Sequence, residues 1–368
     1  MNTGLSTGTF ERMKAYAARN ERTLAASFFV AGFLFDIVTL GRIDSWLTIG
    51  QQAAYLVAVS VVLVQMLLAE GAPAPDLCAA SRPRRWYHEY RNPAIHFLLG
   101  ALLSAYTLFF FKSASLLVSF GFLAVLVALL VANEAERFKK LGLPFKFALL
   151  GLCWLAYAAY VIPVLIGQTG LVVFIVSMAL GCIPLAAVAF FCAAEKRRKI
   201  LVPLGSVVVV FLAFYLFRLI PPVPLSIPFM GVYHGVERTE QGYRLSHERP
   251  YWRLWHNGDQ AFAAQPGDRV FVYFRVFSPS RFSDQVQVRW YLYKSEGPDH
   301  GWVLQDSIPI KILGGREDGF RGYSAKSKYQ PGEWKVQVET TDEREMGRIY
   351  FTLESVPQAP RTFITDLD

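Results

Sequence analysis

Cysteine is scarce and confined. The four thiols are Cys78, Cys153, Cys182 and Cys192, and none lies beyond residue 220. A disulfide framework or a thiolate-based zinc site is thereby excluded from the C-terminal part. Catalytic signatures are missing too: the chain has no GxSxG nucleophile elbow, HExxH helix, P-loop, CxxC pair or dinucleotide fingerprint. His234, His247, His256 and His300 are scattered without acids or other histidines at ligand spacing, so no metal and no cofactor is expected. No catalytic residue is assigned, and the chain reads as something other than an enzyme.

Charge is missing from long stretches, and that absence organises the rest. With 368 residues, 53% hydrophobic letters and only 18% charged ones, the chain is too apolar for an ordinary soluble protein and too long for one domain. A helix needs about 20 apolar residues to cross a hydrocarbon core. Seven runs qualify: Thr23–Leu40, Leu47–Ala69, Ala94–Lys112, the stretch from there to Ala132, Phe147–Ile166, Leu171–Cys192 and Ile200–Ile220. The break near Lys112-Ser113-Ala114 is required because 94–132 is nearly twice the length of one span. Ala124, Ala128 and Ala132 form a small-residue ridge suited to helix packing.

The net charge of +8 resolves by halves. Residues 1–220 hold 19 Lys/Arg and 10 Asp/Glu, whereas residues 221–368 hold 18 and 19. The basicity therefore belongs to the apolar half, where topology explains it without nucleic acid. The N-terminal tail and the second, fourth and sixth loops carry four Lys/Arg each, while the first and third loops have only Arg42 and Lys112. By the positive-inside rule the N-terminus is cytoplasmic and the seventh span exits outward.

After residue 229 the hydrophobic period becomes two. Val286, Val288, Trp290 and Leu292 alternate with polar neighbours, as do Ile308, Ile310 and Ile312, then Trp334, Val336 and Val338, then Ile349, Phe351 and Leu353. Gln265-Pro266-Gly267-Asp268 and Gln330-Pro331-Gly332-Glu333 read as turns. About seven short strands predict an all-β immunoglobulin-like sandwich. The expected organisation is a tail (1–22), a seven-helix transmembrane domain (23–220), a Pro-rich linker (221–228) through which the halves would couple, a sandwich (229–355) and an exposed tail (356–368).

Two groups of residues could carry function. Asp36, Arg42, Asp44, Lys112 and Arg218 fall near the outer ends of spans, either as an ion-linked site of a transporter or enzyme or as a structural belt with snorkelling cations. In the sandwich, Trp252, Arg253, Trp255 and His256, with Arg321, Tyr323 and Lys326, offer the aromatics and cations of a ligand or partner surface, or simply core residues. Strand 270–277 is apolar on both faces, so its second face must be covered by the membrane half, another subunit or a partner.

The run Arg321-Gly322-Tyr323-Ser324-Ala325-Lys326, the segment Pro331-Gly332-Glu333-Trp334-Lys335-Val336 and the strand with Arg289-Trp290-Tyr291 resemble the C-terminal module of bacterial membrane proteins of domain-of-unknown-function family 2914. The likeness covers roughly the last hundred residues, and Asp36 to Asp44 resembles the membrane part of such proteins. Tyr323 stands where Trp is expected, and Val288-Arg289 where a His often precedes the Trp. The resemblance implies a fold and an envelope setting, and no established activity. With the topology read from the loops, the chain reads as a bacterial inner-membrane protein that presents a periplasmic binding or interaction module, for envelope sensing or as a scaffold, with the lipid bilayer and a protein or envelope glycan as partners; no oligomeric state follows.

Overall fold

The structure, a computed structural model, describes residues 34, 37, 38, 40–71, 81–248, 257–296, 300–314 and 319–368. Asp36, most of the expected first span, Cys78, and the aromatic set Trp252, Arg253, Trp255 and His256 lie outside the described residues.

Among the described residues the apolar runs fold as six long helices and one single turn: α1 (Trp46–Leu68), α2 (Arg82–Lys112), α3 (Leu116–Glu134), the short α4 (Glu136–Lys139), α5 (Leu143–Ile166), α6 (Leu171–Phe190) and α7 (Ala194–Leu216). By length and composition α1, α2, α5, α6 and α7 can each cross a membrane, and α3 contributes the shorter apolar stretch Leu117–Asn133. Short connections make neighbours antiparallel. The most deeply buried helix is α5, which packs on α1, α2, α6 and α7.

Three features differ from those read in the sequence. Helix α2 begins at Arg82, so much of the expected loop 71–93 is helical: Pro83 sits in the first turn, where its missing N–H costs nothing, and Pro93 is accommodated inside the helix. Helix α7 starts and stops earlier than Ile200–Ile220, taking Lys196–Lys199 into its first turns and ending before Arg218, which turns the chain with φ 59°. The alanine ridge of α3 is not where the described residues pack on this helix: Ala124 and Ala128 are exposed and Ala132 is half-buried, and Phe122, Leu123, Leu126 and Leu130 are the buried side chains.

The two ends of the bundle are unlike. At one end Lys199 pairs with Glu70 at 2.9 Å and Lys196 donates to the Leu68 carbonyl, which gathers the cation-rich start of α7 against the end of α1. The other end, where α2, α5 and α7 finish, meets a β domain.

Among its described residues that domain has eleven strands in three sheets, rather than about seven in two. Its sandwich consists of β1 (Ser226–Tyr233), β5 (Val270–Phe277) and β8 (Phe320–Lys326) facing β4 (Ala261–Ala264), β10 (Glu345–Ser355), β9 (Gly332–Thr340), β6 (Ser283–Lys294) and β7 (Gly301–Leu313), in those spatial orders. All pairings are antiparallel except β4 with β10. The alternating residues of the sequence build the core: Val272, Phe274, Val288, Trp290, Trp334, Val336 and Phe351 are all buried. Trp290 donates its Nε1–H across the core to Ser324 Oγ at 3.0 Å, so the one polar atom of the ring is satisfied.

The third sheet, β2 (Gly235–Thr239), β3 (Gly242–His247) and β11 (Ile364–Leu367), covers the second face of β5. Phe271 and the fully buried Tyr273 pack there with Tyr233, Val236 and Leu245. The doubly apolar strand is thus covered by its own chain. Residues 356–368 are correspondingly not a free tail: β11 pairs with β3, and Asp368 exchanges two backbone hydrogen bonds with Tyr243.

Candidate functional site

The chemistry of the described residues is concentrated where the β domain meets the bundle. The turn between β9 and β10 presents Asp342, Glu343 and Arg344 to the end of α7. Arg344, 4% exposed, donates to the carbonyls of Ile220 (2.7 Å) and Tyr215 (3.3 Å), pairs with Asp342 (2.8 Å) and lies 3.4 Å over the Tyr215 ring. Carbonyls at a helix C-terminus have no intrahelical donors and carry partial negative charge, so a guanidinium is a fitting cap. Tyr215 stacks on Phe174 of α6 at 3.7 Å and donates its hydroxyl to Asp342 at 2.9 Å. Beside it Arg218 pairs with Glu343 at 2.5 Å, which also takes Arg289 of β6 at 3.0 Å. These two guanidiniums hold the Glu343 carboxyl below its ordinary range.

Two further ties complete the seam. The Thr169 N–H and hydroxyl, between α5 and α6, both donate to Asp284 at 3.0 and 2.8 Å, and the Ser283 N–H donates to the Gly167 carbonyl. Ser115, just before α3, donates to Glu345, which also accepts from Gln337 and pairs with Arg348. From there a ladder runs along the outer face of the five-stranded sheet: Arg289 with Glu339 at 3.1 Å, and Lys335 over the rings of Tyr291 and Trp302 at 4.3 and 5.0 Å. Burial raises the Glu339 pKa and lowers that of Lys335. The two halves are thus joined through side chains as well as through residues 221–228.

The expected cluster of membrane charges is divided. Arg218 belongs to the seam, while Arg42 and Asp44 pair with each other at 3.2 Å. Arg42 and Lys112 meet Arg275 of β5 around a separate cavity of about 470 Å³ between the bundle end and the sandwich. Arg275 pairs with Asp368 at 3.3 Å, and Arg42 lies 5.5 Å over the Phe277 ring. The expected partner surface divides as well. Arg321 and Tyr323 share the outer face of β8, Arg321 3.7 Å from Asp368 and Tyr323 44% exposed beside Tyr243 and Phe271. Lys326 faces the other way, pairing with Asp306 and lying over Trp334.

A third polar cluster was not legible in the sequence, because its members lie up to 127 residues apart. His234, its side chain 4% exposed, is stacked on Phe262 at 3.9 Å, with Nε2 3.6 Å from both Glu248 and Asp259. Arg361 bridges its Nδ1 (3.3 Å) and Asp268 (2.7 Å), which leaves the proton of the neutral ring on Nε2. Burial and the Arg361 charge lower the His234 pKa to about 4, and burial raises that of Glu248. Among the described residues no three His, Cys, Asp or Glu side chains converge closely enough to hold a metal ion.

No curated protein matches the chain. Among solved structures it is similar to an immunoglobulin-like protein from Pseudomonas aeruginosa, with 14% identity over 36% of this chain and 98% of that one and a TM-score of 0.23. It is also similar to β-glucosidases from Kluyveromyces marxianus (14% identity, 27% of this chain, 13% of that one, TM-score 0.19) and Listeria innocua (12%, 26%, 15%, 0.19). Residues 283–353, from the start of β6 to within β10, match the model of a family described as a protein of unknown function, DUF2914.

Proposed function

We propose that the protein is a membrane-anchored interaction module. Its apolar half spans a bacterial inner membrane as seven helices with the N-terminus in the cytoplasm, and holds the β domain in the periplasm for recognition of a partner protein. The observation that carries this reading is the asymmetry of the bundle: cation-rich segments at one end, and at the other a β domain fastened by Arg344, Glu343, Glu345 and Asp284. Anchoring rather than transport is supported by three pairs of polar groups that satisfy one another inside the bundle: Tyr160 with Gln52 at 2.8 Å, His96 with Asn133 at 3.0 Å and Trp154 with Ser60 at 3.1 Å. A rigidly held domain presents its outward face in one orientation, and that face carries the exposed Tyr323.

A photo-crosslinking residue placed at position 323 in living cells tests the reading. It should trap one protein in near-stoichiometric yield, whereas the same probe at the exposed turn residue Glu240 should not. Crosslinks only to glycan, or none at all, would contradict recognition of a protein.

A further inference from the structure

The cavity beneath the sandwich has walls from both halves of the chain. Arg42 comes from the approach to α1, Lys112 from the last turn of α2 and Arg275 from the end of β5. Ile43, Phe109 and Phe277 supply apolar wall, and among the described residues no acidic side chain lines it. Asp44 and Asp368 partly offset Arg42 and Arg275 from outside the cavity, but among the described residues no carboxylate pairs with Lys112. Three like charges around one space repel one another, and a bound anion relieves that repulsion.

The apolar wall narrows the class of anion. A free phosphate would meet solvated cations and leave Phe109 and Phe277 without use, whereas an ester carrying alkyl chains uses both kinds of wall. The volume of about 470 Å³ lies within the usual range for small-ligand sites and suits a head group with its first methylenes. Phe109 and Lys112 belong to the final turn of α2, one of the apolar helices, so the cavity sits level with the bundle end, where lipid head groups would lie.

We propose that this cavity binds a phosphate-bearing lipid, with the phosphate among Arg42, Lys112 and Arg275 and the start of its chains against Ile43, Phe109 and Phe277. The inference rests on the membrane-spanning reading of the helices. Lipid held there would join bundle and β domain at a second place beside the Arg344 seam.

Native mass spectrometry of the intact protein in mild detergent tests it, using phosphatidylglycerol as probe and diacylglycerol with the same chains as the uncharged control. The protein should retain one phosphatidylglycerol in preference to diacylglycerol. Lys112→Gln, which disturbs no ion pair among the described residues, should weaken retention about tenfold, the loss expected for one charge-assisted contact. Lys112→Gln combined with Arg275→Gln should weaken it further, while Lys328→Gln, remote from the cavity, should not. Equal retention of diacylglycerol, unchanged retention in Lys112→Gln, or full displacement by millimolar inorganic phosphate would overturn the proposal, the last by making the site one for a free anion. If cysteine labelling shows the β domain outside the membrane and no lipid is retained, this inference fails alone; if labelling shows no sidedness, the membrane reading fails with it.

Discussion

Arg344 joins the two halves more directly than any other described residue, since one guanidinium caps α7, pairs with Asp342 and covers Tyr215. Truncating one partner of a buried, hydrogen-bonded charge set typically costs about 3–5 kcal/mol. Arg344→Ala should therefore lower the thermal midpoint of the intact protein in detergent by several degrees. Arg344→Lys should recover only part, because an ammonium keeps the charge and loses the planar fork. His234 gives a prediction in pH. Its folded pKa of about 4 lies below the ordinary 6.5, so the unfolded chain takes up the proton first. Stability from this group is full above about pH 6.5 and is lost as pH falls toward 4, by on the order of 3 kcal/mol. Unfolding midpoints measured from pH 4 to 7 should show a smaller acid loss in His234→Phe, which keeps the stack on Phe262; parallel curves would contradict the assignment. At this scale sequence reading found charges but not partners. Arg218 was visible as a cation near a span end, yet Glu343 lies 125 residues away, and Arg344 carried no local signal at all.

At the scale of elements, period and length were most informative where burial is one-sided or complete. The core faces of β6 and β10 and the apolar centres of α1, α5 and α6 follow from alternation and run length. Boundaries failed where tertiary contacts extend or end a helix. Lys146, read as part of a charged loop, is buried within α5 and donates to Asn92 of α2 at 3.0 Å, and Arg344 supplies the stop for α7. Strand β9 is buried on both faces, since Lys335, Gln337 and Glu339 pair beneath neighbouring side chains although they read as solvent-facing. Strand β11 was missed because its four residues are all exposed and only its pairing defines it. Removing residues 364–368 should strip the cover from Tyr273 and free Arg275 and Arg321 from Asp368. Amide exchange across β3 and β5 should then accelerate at least about tenfold, as local opening becomes cheaper; unchanged protection would restore the reading of this segment as a tail.

For the whole molecule, the bundle and the β domain meet through charged and hydrogen-bonded side chains that bridge elements distant in sequence, as Ser115 with Glu345 and Thr169 with Asp284 show. Such a seam fixes the β domain relative to the helix axes. The central claim is then one of sidedness, and cysteine labelling with a membrane-impermeant reagent tests it most directly, with the parent protein as blank. Glu240→Cys, in the exposed turn between β2 and β3, should react in cells whose outer membrane alone has been permeabilised, while Arg198→Cys, at the cation-rich end of α7, should react only after lysis of the inner membrane. Labelling of Arg198→Cys before lysis, with Glu240→Cys protected until lysis, would contradict the account.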